Sequence, residues 1–379
     1  MAFLGILCLI LFMTTLAGQL SAKANLPVVI GQLIVGVIIG PALLNWVQPN
    51  NLTQIFSEIG VVILMFMAGL ESDLHLLRRF IKPSLLVAVT GMLLPLISIY
   101  AIGELFGLDH RESLFLALIF SATSVSITVE VLKEMNRLNS REGITILGAA
   151  VADDILSVIL LSLISGDSGG ANILKTIIGQ IVFFIILLAA ARWLIPQLMK
   201  WSGVFDLRVS EVLMALILCF AFSYLAELMG LSSVIGAFFS GIAIGQTPFK
   251  QTINEGIQPI GYALFIPVFF VSIGLDLRLT GLVQDSFFFI ILTIAAVLSK
   301  TLGAAFGARL FSFSYRSSLM IGFGMVSRGE MALIIAQIGF HSKLLSNDRY
   351  SAVIAAIFAA TLIAPFLLKA IIGHQQQNA

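Results

Sequence analysis

Residues 26–40 read LPVVIGQLIVGVIIG, and residues 231–245 read LSSVIGAFFSGIAIG. Gly31, Gly36 and Gly40 fall on Gly236, Gly241 and Gly245 at a constant offset of 205 positions. The same offset carries Gly69-Leu70-Glu71 onto Gly274-Leu275-Asp276. Glycines that serve only as notches for helix packing would explain each position singly, but not the shared register. The chain therefore reads as two related halves.

The apolar stretches around these segments set their environment. Apolar residues make up 59% of the chain and charged residues 11%, against roughly 25% charged in a soluble domain. Runs of about 20 apolar residues recur, each long enough to cross a hydrocarbon core of roughly 30 Å as a helix. No barrel-like alternation is present. Lipid offers backbone polar groups no partners, so the expected fold is an all-α polytopic membrane bundle.

Approximate spans lie at 2–20, 26–44, 54–71, 84–105, 112–132, 142–165, 172–195, 209–229, 231–246, 257–275, 284–309, 316–341 and 350–372, about 13 transmembrane helices. The first of these has no Lys or Arg before it and reads as a true span rather than a secretory signal. The matched segments are separated by an odd number of spans, which makes the repeats inverted in topology. Residues 1–379 then form a single membrane transport domain, with a first repeat at 1–165, a linker at 166–208 and a second, inverted repeat at 209–379. Such repeats are typical of secondary transporters, whose substrate is held near the midplane between the halves.

With the N-terminus outside, Lys and Arg divide about 14 to 5 in favour of the cytoplasmic loops, so the C-terminus is expected in the cytoplasm. Lys300 and Arg328 fall within spans instead. The formal net charge of +1 points to no nucleic-acid partner. Cys8 and Cys219 both sit in apolar spans and read as small apolar residues.

Asp153 and Asp154 occur in GAAVADDILSVILL, about a dozen residues or ~17 Å from either end of their span. A carboxylate at that depth is costly unless it meets a cation, a proton or a water-filled cavity, so midplane acids are functional by default. Neighbouring helix positions point about 100° apart, so one acid can face an ion cavity while the other faces a partner. An ionised carboxylate is a hard oxygen ligand for Na⁺ or Li⁺, and a neutral one holds a proton. Competition for one group couples the two fluxes. Lys300, in AAVLSKTLGAAFG, is equally costly alone and is the natural partner of one aspartate. It is either a second proton carrier or a permanent charge-balancing partner.

Two spans carry a polar break near mid-depth: Ser121 to Ser126 in one, and Ser327-Arg328-Gly329-Glu330 in another. The offset of 205 relates them, so two discontinuous helices are expected, with half-helix ends and carbonyls near the midplane. Thr123 and Ser124 are then candidate oxygen donors, although Ser and Thr also bond back to their own helices. Arg328 and Glu330 read as neutralisers of half-helix ends and of each other. Glu130 could line an entry funnel, and Glu71 reads as a solvated helix end. No P-loop, metal-ligand cluster or nucleophile elbow is present, so neither an enzyme nor a cofactor is expected.

The segments PVVIGQLIVGVIIGP, GVVILMFMAGLESDL, VADDILSV, FIPVFFVSIGLDL and SRGEMALI, with Lys300, resemble the monovalent cation/proton antiporter family, especially NapA-type bacterial Na⁺/H⁺ antiporters. The resemblance covers essentially the whole chain. It implies an NhaA/NapA-like fold, a homodimer, and a core that moves like an elevator. It further implies Asp154 as the principal Na⁺ and proton site, with Asp153 pairing with Lys300 when no ion is bound. The Asp-Asp pair places the chain with the electrogenic members. Potassium-efflux relatives carry a nucleotide-binding domain after the membrane part, and none is expected here.

The function expected from the sequence is Na⁺(Li⁺)/H⁺ antiport in the inner membrane of a bacterium. Alternatives are a K⁺/H⁺ antiporter or a sodium-coupled organic-anion symporter of similar fold. An intramembrane aspartyl protease needs two aspartates from different helices, which adjacent positions on one helix do not supply.

Overall fold

The computed structural model describes residues 3–164, 171–202, 209–277, 285–341, 345 and 347–376; for 162, 171–173, 330, 341, 347, 348 and 374–376 it describes the backbone alone. The chain folds into α1 (Phe3–Lys23), α2 (Val28–Ile39), α3 (Asn51–Glu71), α4 (Leu74–Arg79), α5 (Ile81–Leu105), α6 (His110–Ser121), α7 (Val125–Glu134), α8 (Arg141–Ile164) and α9 (Ala171–Ala189). There follow α10 (Ile195–Ser202), α11 (Ser210–Leu228), α12 (Ser233–Gly245), α13 (Lys250–Ile260), α14 (Ile266–Leu275), α15 (Ser286–Leu310), α16 (Tyr315–Gly324), α17 (Glu330–His341) and α18 (Asn347–Gln376). One π turn links α9 to α10, and another links α13 to α14.

Ten helical stretches among the described residues are long and apolar enough to cross a membrane. The protein is an all-helical, multi-pass membrane protein. Three further expected spans correspond to shorter apolar helices, Val28–Ile39, Ser233–Gly245 and Met331–Phe340. The first of these ends where Gly40 turns extended at φ −79° and ψ −176°, followed by Pro41, which cannot continue the ladder.

Sequence-local signals start several helices. Asn50 caps α3, accepting from the backbone of Leu52 and Thr53, and the Thr53 hydroxyl accepts from Asn50 in return. Asp109 and Glu112 make the same reciprocal box at the start of α6. These caps satisfy amide groups that a helix start otherwise leaves without partners.

The chain divides into two compact units: residues 1–11, 50–75 and 165–269 form one, and 12–49, 76–164 and 270–379 form the other. Within the first unit α3 packs on α12 and α11 on α12. In the second, α5 packs along α15 and α6, around a core that includes Phe115, Phe120, Phe288, Leu292, Ile335 and Ile357.

The repeated glycines do matching work in the two units. In the second unit a Cβ on Gly36 would strike the Val271 carbonyl and the Gly274 backbone; in the first, one on Gly241 would strike the Phe66 carbonyl. Gly69 lies against the Phe238 carbonyl as Gly274 lies against that of Leu33. Gly31 abuts Ala17 and Gly236 abuts Phe222, positions that again differ by 205. Each unit thus contains a close backbone crossing built from one segment of each sequence half, and only glycine fits the contact.

Candidate ion-binding site

Every charge that the sequence places at mid-depth, apart from helix-end groups, lies in the second unit. The helix that begins with the Asp109 cap runs as α6 to Ser121, breaks over 122–124, and resumes as α7. Ala122 is extended at φ −63° and ψ 143°, and Ser124 at φ −96° and ψ 122°. Neither Gly nor Pro causes the break; the run Ser121, Thr123, Ser124 and Ser126 offers side-chain oxygens that compete with the helical ladder. Within His110–Glu134, 94% of an apolar 18-residue window is buried, as non-helical backbone at membrane depth requires.

A second break, 325–329, separates α16 from α17 and packs against the first. The Ser124 amide donates to the Ser327 carbonyl at 2.9 Å, and the Ser327 hydroxyl donates to the Ser124 carbonyl. Thr128 Oγ1 donates to the Gly324 carbonyl at 2.8 Å and lies 2.9 Å from Ser327 Oγ. Gly329 sits against the Ser124 side chain, where a Cβ would overlap it. The two breaks therefore satisfy each other's backbone groups.

Asp153 and Asp154 lie near the centre of α8, 0% and 8% exposed. Lys300 on α15, also fully buried, brings its Nζ to 3.2 Å from Asp153 Oδ2 and 3.3 Å from Oδ1. The same ammonium donates to the Ser121 carbonyl at 2.6 Å, the last residue of α6. Arg328, 0% exposed, donates through one terminal nitrogen to the Ala122 carbonyl and through the other to the Ala296 carbonyl at 3.3 Å. Thr361 on α18 bonds both the amide and the carbonyl of Arg328. Both cations thus meet carbonyls at the C-terminal end of α6, where the helix dipole is negative.

Of the residues singled out in the sequence, the structure joins Asp153, Lys300 and the first break directly, and Arg328 to that same break. Thr123 is 4% exposed, and its hydroxyl has no hydrogen-bond partner among the described residues; Ser124 is 3% exposed with its hydroxyl 3.4 Å from that of Ser126. Glu130 is buried on α7, one turn before Glu134. Glu71 ends α3 in the first unit and is partly exposed. Glu330 opens α17, but its side chain lies outside the described residues.

Sequence reading missed the backbone partners of both cations, since carbonyl donors carry no residue signature. It also missed Thr128 and Thr361, and Glu134, whose carboxylate accepts from the Val28 amide at 3.0 and 3.1 Å and caps α2. A hydroxyl run that continues past Ser126 to Thr128 was the available sign for the first of these.

Residues 8–373 match the family described as "Sodium/hydrogen exchanger, transmembrane". The chain is 47% identical over 374 residues to a Na(+)/H(+) antiporter of Enterococcus hirae, covering 97% of this chain and 98% of that one. Identity to the Na(+)/H(+)-K(+) antiporter GerN of Bacillus cereus is 44% over 375 residues, covering 98% and 96%. The fold is similar to the sodium proton antiporter MjNhaP1 from Methanocaldococcus jannaschii at pH 8, with a TM-score of 0.73, 20% identity, and coverage of 98% and 97%.

Proposed function

Because the chain belongs to the sodium/hydrogen exchanger family, we propose that it is a secondary active Na⁺(Li⁺)/H⁺ antiporter in which the cation and protons compete at Asp154 and Asp153. The observation that carries this reading is the buried Lys300–Asp153 pair beside Asp154 at the centre of α8. Charge arithmetic supports it. Two carboxylates and one ammonium leave one negative charge in the pocket, while Arg328 offsets the partial negative end of α6, about half a charge. One proton on Asp154 neutralises the remainder.

When the cation takes both carboxylates, Lys300 loses its counter-charge and gives up its proton; Asp154 gives up another. Two protons against one cation make the exchange electrogenic. Thr123 and Ser124 complete the cation's oxygen shell from the first break. Competition fixes a direction: lowering the pH raises the Na⁺ concentration needed for half-maximal exchange.

The finer architecture is part of the same proposal: 13 crossings in an NhaA/NapA-like arrangement, repeats at 1–165 and 209–379 of inverted topology, and a homodimer of NapA type. The matched glycine contacts support the repeat. An elevator motion is supported by the confinement of Asp153, Asp154, Lys300 and Arg328 to one compact unit. The protein is assigned to the inner membrane of a bacterium, with its N-terminus outside and C-terminus cytoplasmic, on the Lys and Arg bias.

Everted vesicles or proteoliposomes with an imposed pH gradient test the reading. Addition of Na⁺ or Li⁺ dissipates the gradient, and Asp154→Asn abolishes the response; robust exchange in that variant overturns the assignment. The name of GerN includes K⁺, so a K⁺/H⁺ exchange is the second reading. Dissipation by K⁺ at concentrations where Na⁺ is inert would favour it.

A further inference from the structure

We propose that the Ser157 hydroxyl is an additional oxygen ligand for the transported cation and helps to set the Na⁺ to Li⁺ preference. The proposal rests on the antiporter reading above. Ser157 is fully buried on α8, four residues after Asp153 and three after Asp154. At 100° per residue its side chain leaves the helix about 40° from that of Asp153 and about 60° from that of Asp154, on the arc between them. It lies ~6 Å along the axis from the first and ~4.5 Å from the second.

Several Ser and Thr of the apolar helices bond back to their own backbone: Ser98 to Leu94, Ser121 to Leu118, Ser240 to Ala237 and Thr293 to Phe289, all at 2.8 Å. Ser157 Oγ makes no such bond and has no hydrogen-bond partner among the described residues. A buried hydroxyl left alone is costly, and a native one calls for an explanation. Other hydroxyls share that condition, Ser113 and Ser318 among them. Only Ser157 occupies the arc between the two midplane carboxylates of one helix.

Its chemistry fits. A hydroxyl lone pair is a hard, neutral donor, which adds to the coordination of Na⁺ or Li⁺ without changing the charge balance that couples cation to proton. With the Asp154 carboxylate and Thr123 Oγ1 it gives the cation donors from α8 and from the first break. The sensitivity to ion size follows from the helix: Ser157 is held at a fixed height above Asp154 and does not follow a smaller ion inward.

The test compares Ser157→Ala, Ser157→Thr and Ser157→Val in proteoliposomes, with the half-saturating Na⁺ and Li⁺ concentrations measured at fixed pH. Thr and Val have one shape and differ by the hydroxyl. Loss of the ligand in Ala and Val raises the Na⁺ value about three- to tenfold and changes the ratio of Na⁺ to Li⁺ values, while Thr recovers most of the affinity. A second readout needs no turnover: added Na⁺ raises the Tm of purified protein in detergent, and the Ala and Val variants need correspondingly more of it. If Thr and Val behave alike, or if Ala leaves both half-saturation values within about twofold of the parent, the proposal is overturned. Asp154→Asn, run alongside, separates the failures. Exchange surviving in that variant sinks the antiporter reading itself, whereas its loss with an inert Ser157→Ala sinks only the ligand.

Discussion

Lys300 and Asp153 pair with their charged atoms 3.2 Å apart and neither side chain exposed, and the ammonium spends a further hydrogen bond on the carbonyl that ends α6. The pair therefore joins α8 and α15 to the broken helix. Asp154, its neighbour, shares the depth but not the direction.

Removing one member of a buried pair leaves a charge with no counterpart, at a cost of roughly 3–5 kcal/mol. Lys300→Gln and Asp153→Asn singly lower the Tm in detergent, and the double variant recovers part of the loss. Under an imposed membrane potential, Lys300→Gln retains some exchange with weaker voltage dependence. Unchanged voltage dependence would leave Lys300 a structural cation alone.

The interlock of the two breaks rests on Thr128, whose hydroxyl reaches both the Gly324 carbonyl and Ser327. Thr128→Val keeps the shape and strips the donor, exposing buried acceptors at a cost of about 1–3 kcal/mol. Thermal unfolding reads this as a lower midpoint. A midpoint equal to the parent's would show that other contacts hold the breaks together.

Gly36 and Gly241 hold equivalent places in the two units, each with a carbonyl oxygen where a Cβ would go. Gly36→Ala and Gly241→Ala each destabilise by roughly 1–3 kcal/mol through forced separation of the helices. Gly5→Ala, whose added Cβ meets nothing within 4 Å, serves as the control and gains up to about 1 kcal/mol from helix propensity. Yield of monodisperse protein and its Tm measure all three.

Glu134 accepts from the Val28 amide with both carboxylate oxygens, at the start of a helix whose Pro27 cap offers no side-chain acceptor. Glu134→Ala removes the cap and about 0.5–2 kcal/mol with it, and Glu134→Gln retains part of that by keeping an acceptor while losing the charge. Hydrogen exchange in the first turn of α2 quickens in the order Gln, then Ala. Equal protection in all three would assign the capping to solvent.

Much of the fold was legible in the chain itself. Apolar runs identify membrane helices because the cost of burial in lipid is a sum over consecutive residues, which a reader can perform. Asp153, Asp154 and Lys300 stood out because an ionised group at mid-depth has no inexpensive explanation. The glycine register of 205 marked positions whose close contacts recur in both units, and the hydroxyl run announced the first break.

Other features belong to three dimensions. That Lys300 bonds Asp153 was implied by resemblance, but its bond to the Ser121 carbonyl was not. The reach of Arg328 to Ala122 and Ala296 likewise has no counterpart in the letters. Nor did hydropathy show that 12–49 folds with 76–164 and 270–379 while 50–75 folds elsewhere. The reason is physical: hydropathy and helical period are properties of neighbours along the chain. Partner choice depends on how each helix is rotated and which backbone it crosses, and backbone carbonyls look the same in every residue.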